Sequence, residues 1–443
     1  MEARVASAET PPPLSLLRRH LPLLDWLPRA YRAGFLPLDI RARARRTADA
    51  YRAAKRRTDA VAAAPNTDAP IAALQFELGR PDNLRFAELA PDTDALPLAD
   101  GEVVFAPQSL GANRYITVYG GAYLTMDIGR FVDPRGETNT ERFKGTPAWG
   151  RARVLRSRHP GVGEGDVYYG FWPLAAYCVR GVRDLDARGA PRDGGPGATS
   201  TGYLDLPTFT GPREWLKVIR MDAPAEAYAI DTFEYFKIGL TFAAALHDEG
   251  YYDAHRLVLT SASSVSARVI AMCVRERRPD FQIVGLTSPR NLAALRATTY
   301  FDAVYAYDDL ADCPADGRSL YFDALGREET SVRVFEHFRL ARWWMYGEGG
   351  DRSLFRLLKR NRRGTFYTNL VDSYDYQLRH GTTDGELLAA CTRLIERYDL
   401  EDAWYGDARL VSTNQEVFDL FRAYLDNTHG GERVVYRSPL LEA

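Results

Sequence analysis

From Ile71 to about Arg220 the apolar residues alternate with polar ones in short runs separated by turn residues, which is the pattern of half-buried strands. Phe76-Glu77-Leu78 and Leu84-Arg85-Phe86 flank Gly79-Arg80-Pro81-Asp82-Asn83 and predict a hairpin. Strands follow at Glu102–Ala106, Trp149–Arg156 and Val167–Val182, and a Gly- and Pro-rich loop occupies 183–202. At Asp231 the period changes. Phe233, Phe236, Leu240, Phe242, Ala245 and Leu246 recur at helical spacing up to Gly250. Short apolar runs then alternate with helical stretches: Leu257–Leu259, Phe281–Leu286, Val304–Tyr307, Leu320–Asp323 and Gly364–Leu370. Strands alternating with helices predict a doubly wound parallel sheet. From Asp384 the pattern gives two amphipathic helices and a last strand at Arg433–Tyr436.

The run His255–Asn291 is the centre of this second half. Leu257-Val258-Leu259 is apolar throughout, as a strand buried on both faces requires. A turn of small hydroxyl residues follows, then Val265, Val269, Ile270, Cys273 and Val274 at helical spacing, with Pro279 as the stop. This strand–turn–helix–strand layout is what a dinucleotide phosphate needs, because a helix N-terminus presents free N–H groups. The turn Ser261-Ala262-Ser263-Ser264-Val265-Ser266 contains no glycine. Its hydroxyls can cap the helix and donate to phosphate oxygens, but they allow less close approach than glycine. Thr260, Ser261, Ser263 and Ser264 are therefore candidate cofactor residues. After the second strand stand Thr287, Ser288, Arg290 and Asn291, with no carboxylate to accept from a ribose hydroxyl. That set reads either as a polar loop after a strand or, in preference, as a 2′-phosphate site with Arg290 as clamp and Ser288 as donor, which favours NADPH. Asp323, at a later strand end, is read either as facing the nicotinamide ribose or as capping the next helix.

Composition narrows the rest. At 443 residues the chain exceeds one ordinary core. A net charge of −2 argues against a general nucleic-acid binder. Cys178, Cys273, Cys313 and Cys391 are dispersed with no C-x-x-C, which gives neither a local zinc pattern nor a disulfide framework and fits a cytoplasmic location. No run approaches the length of a membrane span. No histidine is paired at i, i+4 or adjacent to a cysteine, and no G-x-S-x-G elbow appears, which speaks against a serine hydrolase. The expected organisation is a partly helical N-terminal extension at 1–70, a β domain at 71–225, a nucleotide-binding domain at 226–370 and a C-terminal return at 371–443. Within the extension, the Arg-rich stretch 39–64 reads as a solvated helix face or, less simply, as a basic helix for anionic partners or a membrane surface.

A β domain, a helix, a nucleotide-type βαβ run and a closing strand follow one another in an order that resembles the medium-chain dehydrogenase/reductase superfamily, on its quinone-oxidoreductase and enoyl-reductase side. Three stretches, SRHP with YYGFWPLAAY, LTSASS and VGLTSPRN, resemble an uncharacterised bacterial branch of it, and the resemblance covers roughly 75–443. It implies a GroES-like β domain closing over a Rossmann domain, an active cleft between them, NADPH as cofactor and a homodimer. The departures are the glycine-free turn and the missing Cys-His pair of the zinc-binding alcohol dehydrogenases.

Hydride transfer without a metal needs a donor to meet the charge that builds on oxygen, and an acid. In enoyl reductases of this superfamily a tyrosine about ten residues after an asparagine does this. Asn113 and Tyr123 match that spacing, with Tyr115 and Tyr119 as rivals. The resemblance thus implies reduction of an activated alkene or carbonyl, with Tyr123 or Tyr115 as the acid. The alternative is a non-redox member of the scaffold acting as a lyase, a cyclase or a binding protein. Tyr169, Phe171 and Trp172 are read as pocket lining or plain packing, and Trp343–Gly350 as a lid or a dimer contact.

Overall fold

A computed structural model describes residues 66–69, 71–77, 80–112, 116, 142–183, 201–205, 216–221, 233–346, 364–367, 372–400, 408–426, 428 and 433–441. The N-terminal extension up to Pro65 and the run Gly347–Gly350 lie outside them.

The first half builds β1 (Ala72–Glu77), β2 (Arg80–Glu88), β3 (Glu102–Ala112), β4 (Phe143–Gly145), β5 (Pro147–Ser157), β6 (Val167–Pro173), β7 (Cys178–Arg183), β8 (Thr201–Asp205) and β9 (Lys217–Met221). Strands β3, β5, β6, β9, β8 and β7 neighbour one another in that order, and β7 pairs back onto β3. The sheet therefore closes into a barrel, which removes its edges. β1, β2 and β4 form a separate three-stranded sheet. Phe105, Tyr168 and Trp172 fill the barrel core; Trp172 donates its indole N–H to the Gly150 carbonyl at 3.1 Å. Trp172 is thus a packing residue, since a closed barrel of this size is filled by its own side chains, and Phe171, on the other face of β6, packs on Trp149 with ring centroids 4.6 Å apart.

The second half builds α1 (Phe233–Asp248), β10 (Arg256–Leu259), α2 (Val265–Arg277), β11 (Gln282–Thr287), α3 (Leu292–Arg296), β12 (Ala303–Ala306), β13 (Arg318–Asp323), α4 (Glu328–His337), β14 (Arg339–Tyr346) and β15 (Gly364–Tyr367). The sheet order is β12-β11-β10-β13-β14-β15, with every pairing parallel. Trp343 and Met345 are fully buried in β14. The aromatic run read as a lid is therefore, up to Tyr346, an inner strand: one covered on both faces carries the same unbroken apolar signature. α1 lies close on α2, and a Cβ at Gly239 would come within 2.9 Å of Cys273 Sγ. The chain then forms α5 (Tyr374–His380), α6 (Asp384–Arg397), β16 (Arg409–Val411), α7 (Asn414–Leu425) and β17 (Val434–Tyr436). α6 and α7 each open with a capping box, Thr383 with Glu386 and Thr413 with Glu416. β17 pairs with β3, so the C-terminus returns to the barrel.

Barrel, α1 and the C-terminal helices meet around buried charges. Lys237 of α1 reaches Glu234 at 3.1 Å, Asp384 at 3.5 Å and the Tyr374 hydroxyl at 3.2 Å. Lys217 of β9 pairs with the other Asp384 oxygen, Gln377 donates to Asp384 at 2.9 Å, and Tyr169 of β6 donates to Glu234 at 3.4 Å. Burial alone raises the Asp384 carboxyl, but Lys237 and Lys217 outweigh it and hold the group below the usual carboxylate range. A depressed carboxylate contributes stability above its unfolded value of about 4 and loses it as pH falls toward the folded value. Asp384→Asn should therefore destabilise the chain by about 3–5 kcal/mol at neutral pH, and the deficit should shrink as pH drops below about 4. Denaturant melts of both proteins across pH check this.

Candidate functional site

From β10 the chain moves outward to β11 and β12, then returns to the other side of β10 as β13. The connections after β10 and β13 thus leave in opposite directions, and in open α/β sheets a crevice forms at that switch point, beyond the carboxyl ends of the strands. Thr260 follows β10 and Asp323 ends β13; both are 0% exposed. The Thr260 hydroxyl donates to Asp323 Oδ1 at 2.9 Å and accepts from the N–H groups of Ala324 at 3.0 Å and Leu325 at 3.2 Å. Asp323 Oδ1 also accepts from the N–H groups of Leu325 at 3.0 Å and Gly326 at 2.9 Å, and Oδ2 accepts from the Ser331 hydroxyl at 2.6 Å. Buried oxygens with this many donors are satisfied. Thr260 and Asp323 tie the two diverging loops together, and the carboxylate is turned into the protein.

Ser261 lies in the left-handed region, at φ +52°, a conformation glycine adopts freely and other residues adopt at a penalty. Three backbone bonds hold the turn there. Ser261 N–H donates to the Tyr307 hydroxyl at 3.0 Å, Ala262 N–H to the Leu286 carbonyl at 3.1 Å, and Ser264 N–H to the Ser261 carbonyl at 2.7 Å. Ser264 caps α2, accepting from Ala267 N–H at 3.3 Å, with Ser266 Oγ 3.3 Å away. The N–H groups of Ser263, Val265 and Ser266 have no acceptor among the described residues. Small side chains are still required, but the glycine has moved to the facing strand. A Cβ on Gly285 of β11 would come within 2.9 Å of the Ala262 Cβ.

Ser263 Oγ accepts from Asn291 Nδ2 at 3.0 Å and from the Thr287 hydroxyl at 3.4 Å. Ser288 is half-buried and opens the short turn Pro289–Asn291, and Arg290 is exposed with no ion pair among the described residues. The structure thus brings Ser261, Ser263, Ser264 and Asn291 to one rim, places Arg290 after β11, and turns Thr260 and Asp323 inward. Asn113, Tyr115 and Tyr123 lie outside the described residues.

Residues 130–344, just under half the chain, match a family described as "Protein of unknown function (DUF2855)". No curated protein sequence matches the chain. Among solved structures, the chain is similar to the quinone oxidoreductase from Coxiella burnetii, with TM-score 0.50 at 12% identity over 83% of this chain and 99% of that one. CurA from Vibrio vulnificus gives 0.50 at 15% identity over 82% and 96%. A candidate NADPH:quinone reductase from Bacillus thuringiensis gives 0.51 at 12% identity over 83% and 99%. The chain shares the fold of these three structures. At 12–15% identity the likeness is one of architecture: a barrel joined to a Rossmann-type sheet.

Within this site two contacts were not predicted from sequence. Thr287 ends β11 and reaches Ser263, and Tyr307 follows β12 and reaches Ser261. The available signal was positional, since both stand at carboxyl ends of parallel strands, the side of the sheet where ligands bind. Thr260→Val should leave Asp323 short of a donor in a dry environment and destabilise the chain by about 1–3 kcal/mol, with Thr260→Ser restoring most of it. Urea unfolding of the three proteins measures this.

Proposed function

We propose that the chain is an NADPH-dependent, zinc-independent oxidoreductase that reduces an activated alkene or carbonyl, such as an enone, an enoyl ester or a thioester. The observation that carries this reading is the pairing at the switch point of a phosphate-ready turn with a strand end that lacks a carboxylate. Ser263, Val265 and Ser266 have N–H groups open at the α2 N-terminus. These fit a pyrophosphate, which a helix N-terminus attracts through its dipole and free donors. After β11 Arg290 is exposed, and in this reading its guanidinium meets the 2′-phosphate, with Ser288 and Asn291 as its chain neighbours. The structural relatives named above include proteins described as quinone oxidoreductases, which agrees with this reading.

When bound, NADPH supplies the hydride. The protein's part is to orient the acceptor, exclude water and place a proton. Tyr123, with Tyr115 as rival, is the residue proposed to donate to the oxygen on which charge builds. The metal-free route is part of this proposal, and all four cysteines are buried. Buried thiols also suit the proposed cytoplasmic setting. A homodimer belongs to the same reading. A non-redox role, as lyase, cyclase or binding protein, has one observation in its favour: the first N–H of the turn is held by Tyr307.

Titration of the purified full chain by nucleotide fluorescence should show NADPH binding at least about tenfold tighter than NADH, or about 1.4 kcal/mol. Arg290→Ala should bring the two affinities together. NADPH should then be consumed stoichiometrically with a reduced product on a panel of enones and enoyl thioesters. Binding of neither nucleotide would reverse the conclusion in favour of the non-redox role.

A further inference from the structure

Helix α1 runs into β10 through a short connection, so it lies antiparallel to that strand and its first turn stands over the carboxyl ends of the sheet. Phe242, in mid-helix, packs on Phe322, Trp344 and Tyr367 near the ends of β13, β14 and β15, with ring centroids 4.9, 5.0 and 5.2 Å apart. Lys237 comes earlier in the helix, about 7–8 Å further along the axis and past those strand ends. A dinucleotide lies across the switch point, one half to each side. With the adenosine end at Arg290 after β11, the reacting end lies over β13 to β15. The barrel reaches the same place, through Tyr169 to Glu234 and through Lys217 to Asp384. The buried charges therefore stand in the seam where an acceptor meets the hydride. Buried ion pairs add little stability over apolar packing, and clustered titratable groups at such a seam mark chemistry.

Lys237 and Tyr374 are each 2% exposed. The N–H groups of Lys237 face Glu234, Asp384 and the Tyr374 hydroxyl, and the ammonium lies 4.5 Å from the Tyr374 ring centre. The phenol oxygen accepts from Lys237 and carries a proton of its own. A cation 3.2 Å from that oxygen stabilises the charge left there as the proton departs. The backbone bearing Tyr374 is pinned as well. Ser373 is fully buried, and Thr241 Oγ1 of α1 stands 2.9 Å from Ser373 Oγ and 3.3 Å from the Tyr367 hydroxyl. At the other end of the cluster the Lys217 side chain is 18% exposed, so it meets both solvent and Asp384.

Resting on the reductase reading above, we infer that Tyr374 is the acid that protonates carbon, and that Lys237, Asp384 and Lys217 refill it from solvent. The substrate class is then an α,β-unsaturated carbonyl compound. Hydride from NADPH forms a C–H bond at the β-carbon, and the alkene electron pair moves onto the carbonyl oxygen, which Tyr123 meets. The enolate pair then takes the Tyr374 proton at the α-carbon. A C–H bond forms there, the O–H bond breaks, and its pair stays on the phenol oxygen. Lys237 passes a proton to that oxygen, and Lys217 restores it through Asp384. The nucleotide is oxidised, the alkene is reduced, and one proton is drawn from water. Two donors thus divide the work: one holds the oxygen and the other supplies the carbon.

The test uses the full chain with NADPH and (E)-3-methylpent-3-en-2-one, whose α-carbon becomes a stereocentre on reduction. Wild type should give one enantiomer of the saturated ketone, with a single deuterium at the α-carbon when the reaction runs in D2O. Tyr374→Phe should lower kcat about a hundredfold, leave KM for the enone and the affinity for NADPH within about twofold, and give racemic ketone, because water then protonates the enolate. Lys237→Arg keeps the charge but holds its proton too tightly to pass it on. It should lower kcat about tenfold with the single enantiomer retained, and it carries the test if the first variant does not fold. A single enantiomer at full rate from Tyr374→Phe would overturn the inference. So would a loss of NADPH affinity that accounts for its lower rate with the stereochemistry unchanged, which would make the tyrosine structural, or full rate from Lys237→Arg. If wild type reduces no enone, the functional reading falls and this inference falls with it. If wild type reduces the enone and both variants match it, only the inference falls.

Discussion

The ligand side of the nucleotide-type sheet depends on one buried contact, the hydroxyl of Thr260 on the carboxylate of Asp323 at 2.9 Å. The two residues end neighbouring strands whose connections run to opposite sides of the sheet. Without a tie, the loops beyond them would be free to splay, since loop backbone has few partners of its own. The tie is strong because it is shared. Thr260 and Asp323 together receive the N–H groups of Ala324, Leu325 and Gly326 and the hydroxyl of Ser331. The crevice at the switch point thus has a rigid floor, and Ser261 begins directly on top of it.

A second constraint places the barrel against that floor. Lys217 on β9 and Lys237 on α1 hold opposite oxygens of Asp384, and Tyr169 of the barrel reaches Glu234 on α1. Buried ion groups of this kind add little net stability over apolar packing, but removing one member leaves an uncompensated charge. They are selective about geometry, which an apolar contact between the same elements would not be. In the proposed enzyme this is the joint that sets how the acceptor-binding half faces the nucleotide.

Much of this was legible in the chain itself. The strand Leu257–Leu259, the helix from Val265 and the strand to Thr287 appear where period and turn residues place them. Ser264 caps its helix as its type predicts. What escaped was tertiary. Nothing local says that Tyr307 reaches back to Ser261, because the two meet only through the parallel register of three strands. Asp323 left two local readings open, and its burial with Thr260 depends on a residue 63 positions away. The Trp343-Trp344-Met345 run misled for a different reason. An inner strand and an aromatic lid share one composition, and only the neighbours on both faces separate them. The glycine-free turn was legible as a departure, but the compensating Gly285 was not, since its role is set by Ala262 across the sheet.

The measurement that bears most directly on the whole account is amide hydrogen exchange of the full chain with and without NADPH. Slowed exchange is predicted in Ser261–Arg268, in Thr287–Asn291 and around Tyr307, with little change in the already buried strands. Protection confined to other surfaces, or none at saturating nucleotide, would contradict a dinucleotide site built on the Thr260–Asp323 floor.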